Sequence, residues 1–296
     1  MKLTFLGTQA MQPTKARGLS ALQINLENEQ FLIDCGEGTQ RQMRIAEVKP
    51  TKLTRVLISH FHADHMLGLA GLLRNLSAND YSGALTIHGP KGLRTYITHL
   101  KKSSLYADRV KLKLKEIQPG LILNHERFTI EAFKLFHSVE CYGFIIKEKP
   151  RRRINLEFTK KLGLIQHPLL GELQRGKDIM WQEKKVTVKK ATFLVPGKKY
   201  VFIQDTGFNA KLMKYAKDAD LLVCESTFME KEKDKAKEYK HLTSIQAATI
   251  AKKAKVKKLI LTHFSQRYED VSEMEKEAKA IFPEVILAED FMVVNV

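Results

Sequence analysis

The chain has 296 residues, 44% of them hydrophobic and 28% charged, which excludes disordered, collagen-like and low-complexity classes. Fifty Lys and Arg against 33 Asp and Glu leave a net charge of +17, and such an excess suits a polyanionic partner. Three cysteines (Cys35, Cys141, Cys224) without C-x-x-C spacing exclude a disulfide framework and a thiolate zinc finger, and no apolar run approaches the roughly 20 residues of a membrane span. With no apolar leader segment at the N-terminus, a soluble cytoplasmic protein is expected.

In chain order, residues 3–6, 21–26 and 31–33 read as strands, the second by clean polar/apolar alternation. A strand at 55–59 precedes a helix from about 66 to 76, whose Leu67, Leu69, Leu72, Leu73 and Leu76 form a wide apolar face. Another helix follows Gly89-Pro90 and carries Leu93, Ile97 and Leu100. Strands recur at 128–135, 142–146 and 200–203. The last third alternates helix 210–217, strand 221–223, helix 244–253, strand 258–261, helix 272–282 and a closing strand at 292–295. This order predicts a mixed α/β fold with one continuous core.

The pattern breaks between 149 and about 176, where Pro150, Gly163, Pro168, Gly171 and Gly176 interrupt any apolar period. A segment of that kind inside a compact domain reads as a protruding functional insertion, with neither strand nor long helix. Charge is focused there. Between Lys147 and Lys199, fifteen Lys and Arg, with Arg151, Arg152 and Arg153 consecutive, face five Asp and Glu, a net +10. A solubilising Lys-rich surface is the plainer account of the total charge, but this concentration favours a polyanion.

The sharpest signal is Ser59-His60-Phe61-His62-Ala63-Asp64-His65, three imidazoles and a carboxylate directly after an apolar strand. Nitrogen and oxygen donors without thiolate suit zinc or a similar divalent ion. A lone histidine is more often an ordinary hydrogen-bonded residue, and His88, His99, His125 and His167 are read that way. His137, Asp205 and His263, however, each follow an apolar strand too. α/β folds gather their sites at such strand ends. Seven donors suffice for two metals sharing one carboxylate.

The H-x-H-x-D-H motif with the later His, Asp and His resembles the metallo-β-lactamase superfamily, end to end. Further motifs resemble the ribonuclease Z family: Phe5-Leu6-Gly7-Thr8, Asp34-Cys35-Gly36-Glu37-Gly38-Thr39-Gln40 and Gln204-Asp205-Thr206. So do Glu225-Ser226-Thr227-Phe228, His241-Leu242-Thr243-Ser244 and His263-Phe264-Ser265-Gln266-Arg267-Tyr268. The resemblance implies a four-layer αββα sandwich over 1–296, with a flexible tRNA-binding arm inserted at 149–180. It implies two Zn2+ per subunit, a homodimer, and removal of the 3′ trailer of precursor tRNA by a metal-activated hydroxide, leaving a 3′-hydroxyl on the tRNA.

By the same resemblance His60, His62 and His137 hold one zinc, Asp64, His65 and His263 the other, and Asp205 bridges them. Asp64 is also the proton acceptor. His241 is the general acid, and Glu225 orients it or else is a plain surface carboxylate. In the arm, Arg151, Arg152, Arg153, Lys161, Gly163, Arg175 and Lys177 are expected to meet RNA of A-form shape through its phosphates. The plainer account is a disordered basic loop. Arg267 is a candidate phosphate contact, and Ser265 a helix-entry or backbone-binding residue. Cys35 is read as a small buried residue. Three positions depart from the family pattern: Gly18 stands for Asn after Arg17, Cys224 for His before Glu225, and His167 for Gly before Pro168.

Two other readings compete: a different metallo-β-lactamase-fold hydrolase acting on small phosphodiesters, thioesters or lactams, and a catalytically silent RNA-binding homologue. The basic segment and His241 weigh against the first and the complete donor set against the second. The β-CASP nucleases insert a large extra domain for which this chain has little room.

Overall fold

Apolar strands, many of them buried on both faces, build two seven-stranded sheets in the computed structural model, which describes residues 1–296. The first sheet runs, edge to edge, Val293–Asn295, Lys2–Gly7, Ala21–Leu26, Glu29–Ile33, Arg55–Leu57, Ala84–Gly89 and Lys111–Glu116. Its first three pairings are antiparallel and its last three parallel. The second runs Val285–Leu287, Leu259–Thr262, Leu221–Glu225, Lys199–Ile203, Cys141–Glu148, Phe128–Leu135 and Gly120–Asn124, its first four strands parallel.

Helices cover one face of each sheet. Leu72, Leu73 and Leu76 of helix Gly68–Ala78, with Leu93 and Ile97 of helix Leu93–Lys102, pack on Leu32, Val56, Leu85 and Ile87 of the first sheet. Helices Lys211–Ala216, Ser244–Ala254 and Ser272–Ile281 set Leu212, Ala247, Ala251 and Met274 against Val201, Leu222, Leu259 and Leu261 of the second. Thr243 and Gln246 close a capping box on Ser244–Ala254, satisfying two otherwise orphaned amides. The opposite faces are buried too: Leu3, Phe5, Ile24 and Phe31 in one sheet, Tyr200, Phe202 and Ile260 in the other. No helix is long and apolar enough to cross a membrane.

Most predicted elements are present within a residue or two. The strand expected at 55–59 ends at Leu57, because Ser59 turns its amide and hydroxyl to the Asp34 carboxylate at 2.7 and 2.8 Å. The helix expected over 66–76 is split into Ala63–Met66 and Gly68–Ala78, which leaves Leu67 44% exposed instead of on the apolar face. Gly68 sits so close to Gly36 that a Cβ would lie 1.9 Å from its carbonyl oxygen, so only glycine lets the two segments meet. Helix Thr39–Ile45 and strands Ala84–Gly89, Lys111–Glu116, Gly120–Asn124 and Val285–Leu287 are additional to the expected elements.

Residues 1–123, 130–146 and 199–296 form one compact unit, and residues 124–129 and 147–198 a second. The second corrects the expectation of a stretch without elements. Arg151–Ile154 pairs antiparallel with Thr192–Val195, and Ile179–Trp181 with Lys184–Val186. Short helices lie at Leu156–Lys161 and Leu169–Gln174, and Leu164, Leu173, Ile179, Val186 and Ala191 make a core of their own. The unit runs past the expected 149–180. Its chain ends meet where the Glu148 amide donates to the Lys198 carbonyl at 2.9 Å.

Candidate active site

Strand ends deliver the donors. His60 and His62 precede helix Ala63–Met66, which carries Asp64 and His65 in its single turn. His137 follows strand Phe128–Leu135, Asp205 follows Lys199–Ile203, and His263 follows Leu259–Thr262 in a left-handed backbone conformation (φ 62°). One donor atom each from His60, His62, His137 and Asp205 falls within 4.8 Å of the others, as does one each from Asp64, His65 and His263.

His62 Nδ1 lies 3.0 Å from His60 Nε2 and 3.3 Å from His137 Nε2, and Asp205 Oδ2 lies 3.7 and 3.9 Å from the same two Nε2 atoms. The other Asp205 oxygen, Oδ1, stands 3.4 Å from His65 Nε2 and 3.3 Å from His263 Nε2. Asp64 Oδ2 is 3.5 and 3.6 Å from that second pair. One carboxylate thus turns one oxygen to each group. Oδ1 is buried and accepts no hydrogen bond, which suits its lone pairs to a cation. All seven residues therefore fit two divalent ions with N/O coordination.

Electrostatics agree with this fit at the first group of imidazoles. Burial and neighbouring imidazoles push His60 well below the usual histidine range, and burial lowers His62 and His137, which keeps their ring lone pairs available. Burial opposes the charge of Asp64, yet His65 and His263 hold it far below the carboxylate range.

A second layer fixes the rings. His65 Nδ1 bonds Asp34 Oδ2 at 2.8 Å, His60 Nδ1 meets Ser59 Oγ at 2.9 Å, His137 Nδ1 the Lys240 carbonyl at 3.1 Å, and His263 Nδ1 the Thr227 Oγ1 at 2.9 Å. Such partners set tautomer and ring orientation. Sequence reasoning gave none of them a role. Asp34 and Thr227 fell inside family-like motifs, and Ser59 was only the residue before His60.

His241 lines a cavity of about 710 Å³ with His62, Asp64, His137, Asp205 and His263. Its Nδ1 bonds Glu225 Oε1 at 3.0 Å. Glu225 is fully buried, not a surface carboxylate; its oxygens also accept the Thr206 amide at 2.8 Å and the Thr227 hydroxyl at 2.7 Å. Burial opposes protonation of His241, but the Glu225 carboxylate outweighs it and raises the imidazole to about 9. Asp205, His241 and His263 also bring one donor each within 4.8 Å, though the His241 Nδ1 is committed to Glu225. The cysteines are inert: burial pushes Cys35 up to about 12 and raises Cys141 and Cys224 well above the usual thiol range.

Comparison with known proteins follows from this geometry. A family model described as "Anti-Pycsar protein Apyc1" matches residues 1–162, which stops short of Asp205, Glu225, His241 and His263. Ribonuclease Z of Bacillus subtilis (strain 168) is 36% identical over 306 residues, spanning 100% of this chain and 99% of the relative. Ribonuclease BN of Escherichia coli O157:H7 is 38% identical over 307 residues, spanning 100% of both. The chain belongs to the ribonuclease Z/BN family. Among solved structures, the short form of human tRNase Z superposes with a TM-score of 0.74 at 30% identity, covering 100% of this chain and 99% of that one. As a ribonuclease Z homologue in the metallo-β-lactamase superfamily, the chain carries an intact His/Asp cluster suited to metal.

Its departures from the family pattern have local reasons. A Cβ at Gly18 would lie 2.7 Å from Gln42 Nε2, and Gln42 is held by the Leu6 carbonyl and Asp290, so a larger residue requires that amide to move. Cys224 joins the helix-covered core of its sheet. His167 accepts the Leu169 amide and lies edge-on to Trp181.

Ser265 is not a helix-entry residue: it lies in the short strand Phe264–Ser265, and its Oγ accepts from Arg267 Nε at 3.0 Å. Arg267 does line the cavity, but its guanidinium is also paired with Glu232 at 2.8 Å. In the second unit, Arg127, Arg151, Arg152, Arg153 and Arg175 line a cavity of about 550 Å³ with no carboxylate in its wall. Lys161 pairs with Glu157, and Arg175 and Lys177 share Glu172. Gly163 takes the left-handed conformation (φ 66°) after helix Leu156–Lys161.

Proposed function

We propose that this protein is a zinc-dependent endoribonuclease that removes the 3′ trailer of precursor tRNA, working in the cytoplasm as a homodimer with a four-layer αββα body. The observation that carries the reading is the convergence of seven metal-competent donors, five of which line one cavity with His241, the partner of Glu225. Full-length kinship with ribonucleases Z and BN supports it.

His60, His62, His137 and Asp205 would hold one Zn2+, and Asp64, His65, His263 and Asp205 the other. When bound, such a pair supplies an acidified water and neutralises charge on the phosphoryl oxygens. Asp64 Oδ2, fixed by the Met11 amide at 2.7 Å, takes the proton of the attacking water. His241 donates a proton to the departing 3′-oxygen of the tRNA, so the product keeps a 3′-hydroxyl. Glu225 holds that imidazole at Nδ1, stabilises its charge and leaves Nε2 to donate. Arg151, Arg152, Arg153 and Arg175, on the carboxylate-free cavity of the second unit, meet backbone phosphates of the RNA; Lys161, Lys177 and Gly163 belong to the same substrate arm.

Incubating purified protein with a trailer-bearing precursor tRNA, with and without chelator, tests the reading. A single metal-dependent cut leaving a 3′-hydroxyl is expected. Cleavage that survives exhaustive chelation, or turnover of small phosphodiesters with the tRNA untouched, defeats it.

A further inference from the structure

The aromatic wall of the active-site cavity takes no part in the chemistry described above. Phe228, directly after Thr227, is locked by its backbone: its amide donates to the Leu242 carbonyl at 3.2 Å and its carbonyl accepts the Ser244 amide at 3.0 Å. Its ring is 3% exposed, with the Arg267 guanidinium 5.0 Å from the centroid. The ring of Tyr239 lies nearly parallel to it, the planes 16° apart and the centroids separated by 6.4 Å. Tyr239 itself is 53% exposed and lines the same cavity as His62, His137, Asp205 and His241.

A large ring set parallel to a buried partner, yet left half open beside a phosphodiester-cleaving centre, adds little to the core. It does present a π-face, the surface on which unpaired bases stack irrespective of sequence. Charge around it is complementary to a nucleotide. Phe228 is 6.0 Å, ring to ring, from His241, and the cationic Arg267 and Lys240 line the same cavity, beside one carboxylate, Glu238, next to Tyr239.

We infer that Tyr239, backed by Phe228, is the stacking platform for an unpaired nucleobase next to the scissile phosphodiester. The inference rests on the RNA-cleaving reading of the site. It makes Tyr239 a binding residue that aligns the phosphate through its attached base and reads no base edge.

Tyr239→Ala, Tyr239→Leu and Tyr239→Phe test it on trailer-bearing RNA that is either intact or abasic at one nucleotide flanking the cut. Loss of one stacked base predicts a fall in kcat/KM of about 5- to 150-fold for the Ala and Leu variants and near wild-type behaviour for Phe. The abasic RNA should cost the wild type a similar factor and the Ala or Leu variant almost nothing more, the signature of one shared interaction. Binding of intact RNA to chelator-stripped protein should weaken in parallel. Leu carries the test if Ala fails to fold. Equal abasic losses in wild type and Leu variant, or Phe as impaired as Leu, overturn the platform. RNA cleaved by wild type and Leu variant alike sinks the platform alone; RNA left uncut by the wild type sinks the RNA reading and the platform together.

Discussion

Glu225→Gln isolates the contribution of one buried charge. The carboxylate accepts four hydrogen bonds, from the Thr206 amide, the His241 ring, and the Thr227 amide and hydroxyl. A carboxamide keeps the shape but turns one acceptor into a donor, leaving a buried amide unpaired at a cost of about 1–3 kcal/mol. The larger effect is on His241, raised from 6.5 to about 9 against the opposing pull of burial, chiefly by this carboxylate. Without it the imidazole returns to its ordinary value or lower. At about pH 7.5 its protonated fraction then drops from nearly complete to about a tenth or less. The proton donor is the charged form, so activity disappears as pH rises through the imidazole's titration. Single-turnover cleavage across pH should show the alkaline limb moving to lower pH. The loss should be about tenfold or more near pH 7.5 and smaller near pH 6, with metal content unchanged. An alkaline limb that stays in place in a fully metallated variant would refute the dyad.

His241→Ala should keep its metal, by elemental analysis, while turnover falls by a factor on the order of 100 or more; loss of metal would make His241 a ligand instead. Asp34→Ala frees the His65 ring and should weaken metal affinity by about 10- to 100-fold in a chelator competition; unchanged affinity would leave Asp34 a purely structural partner of Ser59. Replacing Arg151, Arg152 and Arg153 together by Ala should weaken binding of precursor tRNA and flatten its salt dependence, by about one unit of slope for each phosphate no longer neutralised, with hydrolysis of a small phosphodiester spared. An equal fall on both substrates would remove the arm from recognition.

How much of this was visible in the residue string depends on how local the cause is. An apolar strand followed by His137, Asp205 or His263 is a local pattern, as is the cluster from His60 to His65, so the donors could be named before any fold was in hand. Asp34 and Thr227 reach His65 and His263 across 31 and 36 residues of chain, and nothing in their neighbours announces that. Glu225 shows the same limit: its residue string leaves it between a partner of His241 and a surface carboxylate until the Thr206 and Thr227 amides are seen to enclose it. The helices of the second unit, six residues or fewer, are too short to print a helical period, and so that segment read as featureless. Leu67 fell out of its expected face because Gly68 had to approach Gly36, a constraint that hydrophobic spacing does not encode.

The insertion between residues 147 and 198 interrupts the chain between strands Cys141–Glu148 and Lys199–Ile203, which are neighbours in their sheet, and the Glu148–Lys198 hydrogen bond pins its two ends together. Together with residues 124–129 it makes one compact unit with a core of its own. Changes confined to the middle of the insertion leave intact the pairing of Lys199–Ile203 with Leu221–Glu225 that aims Asp205.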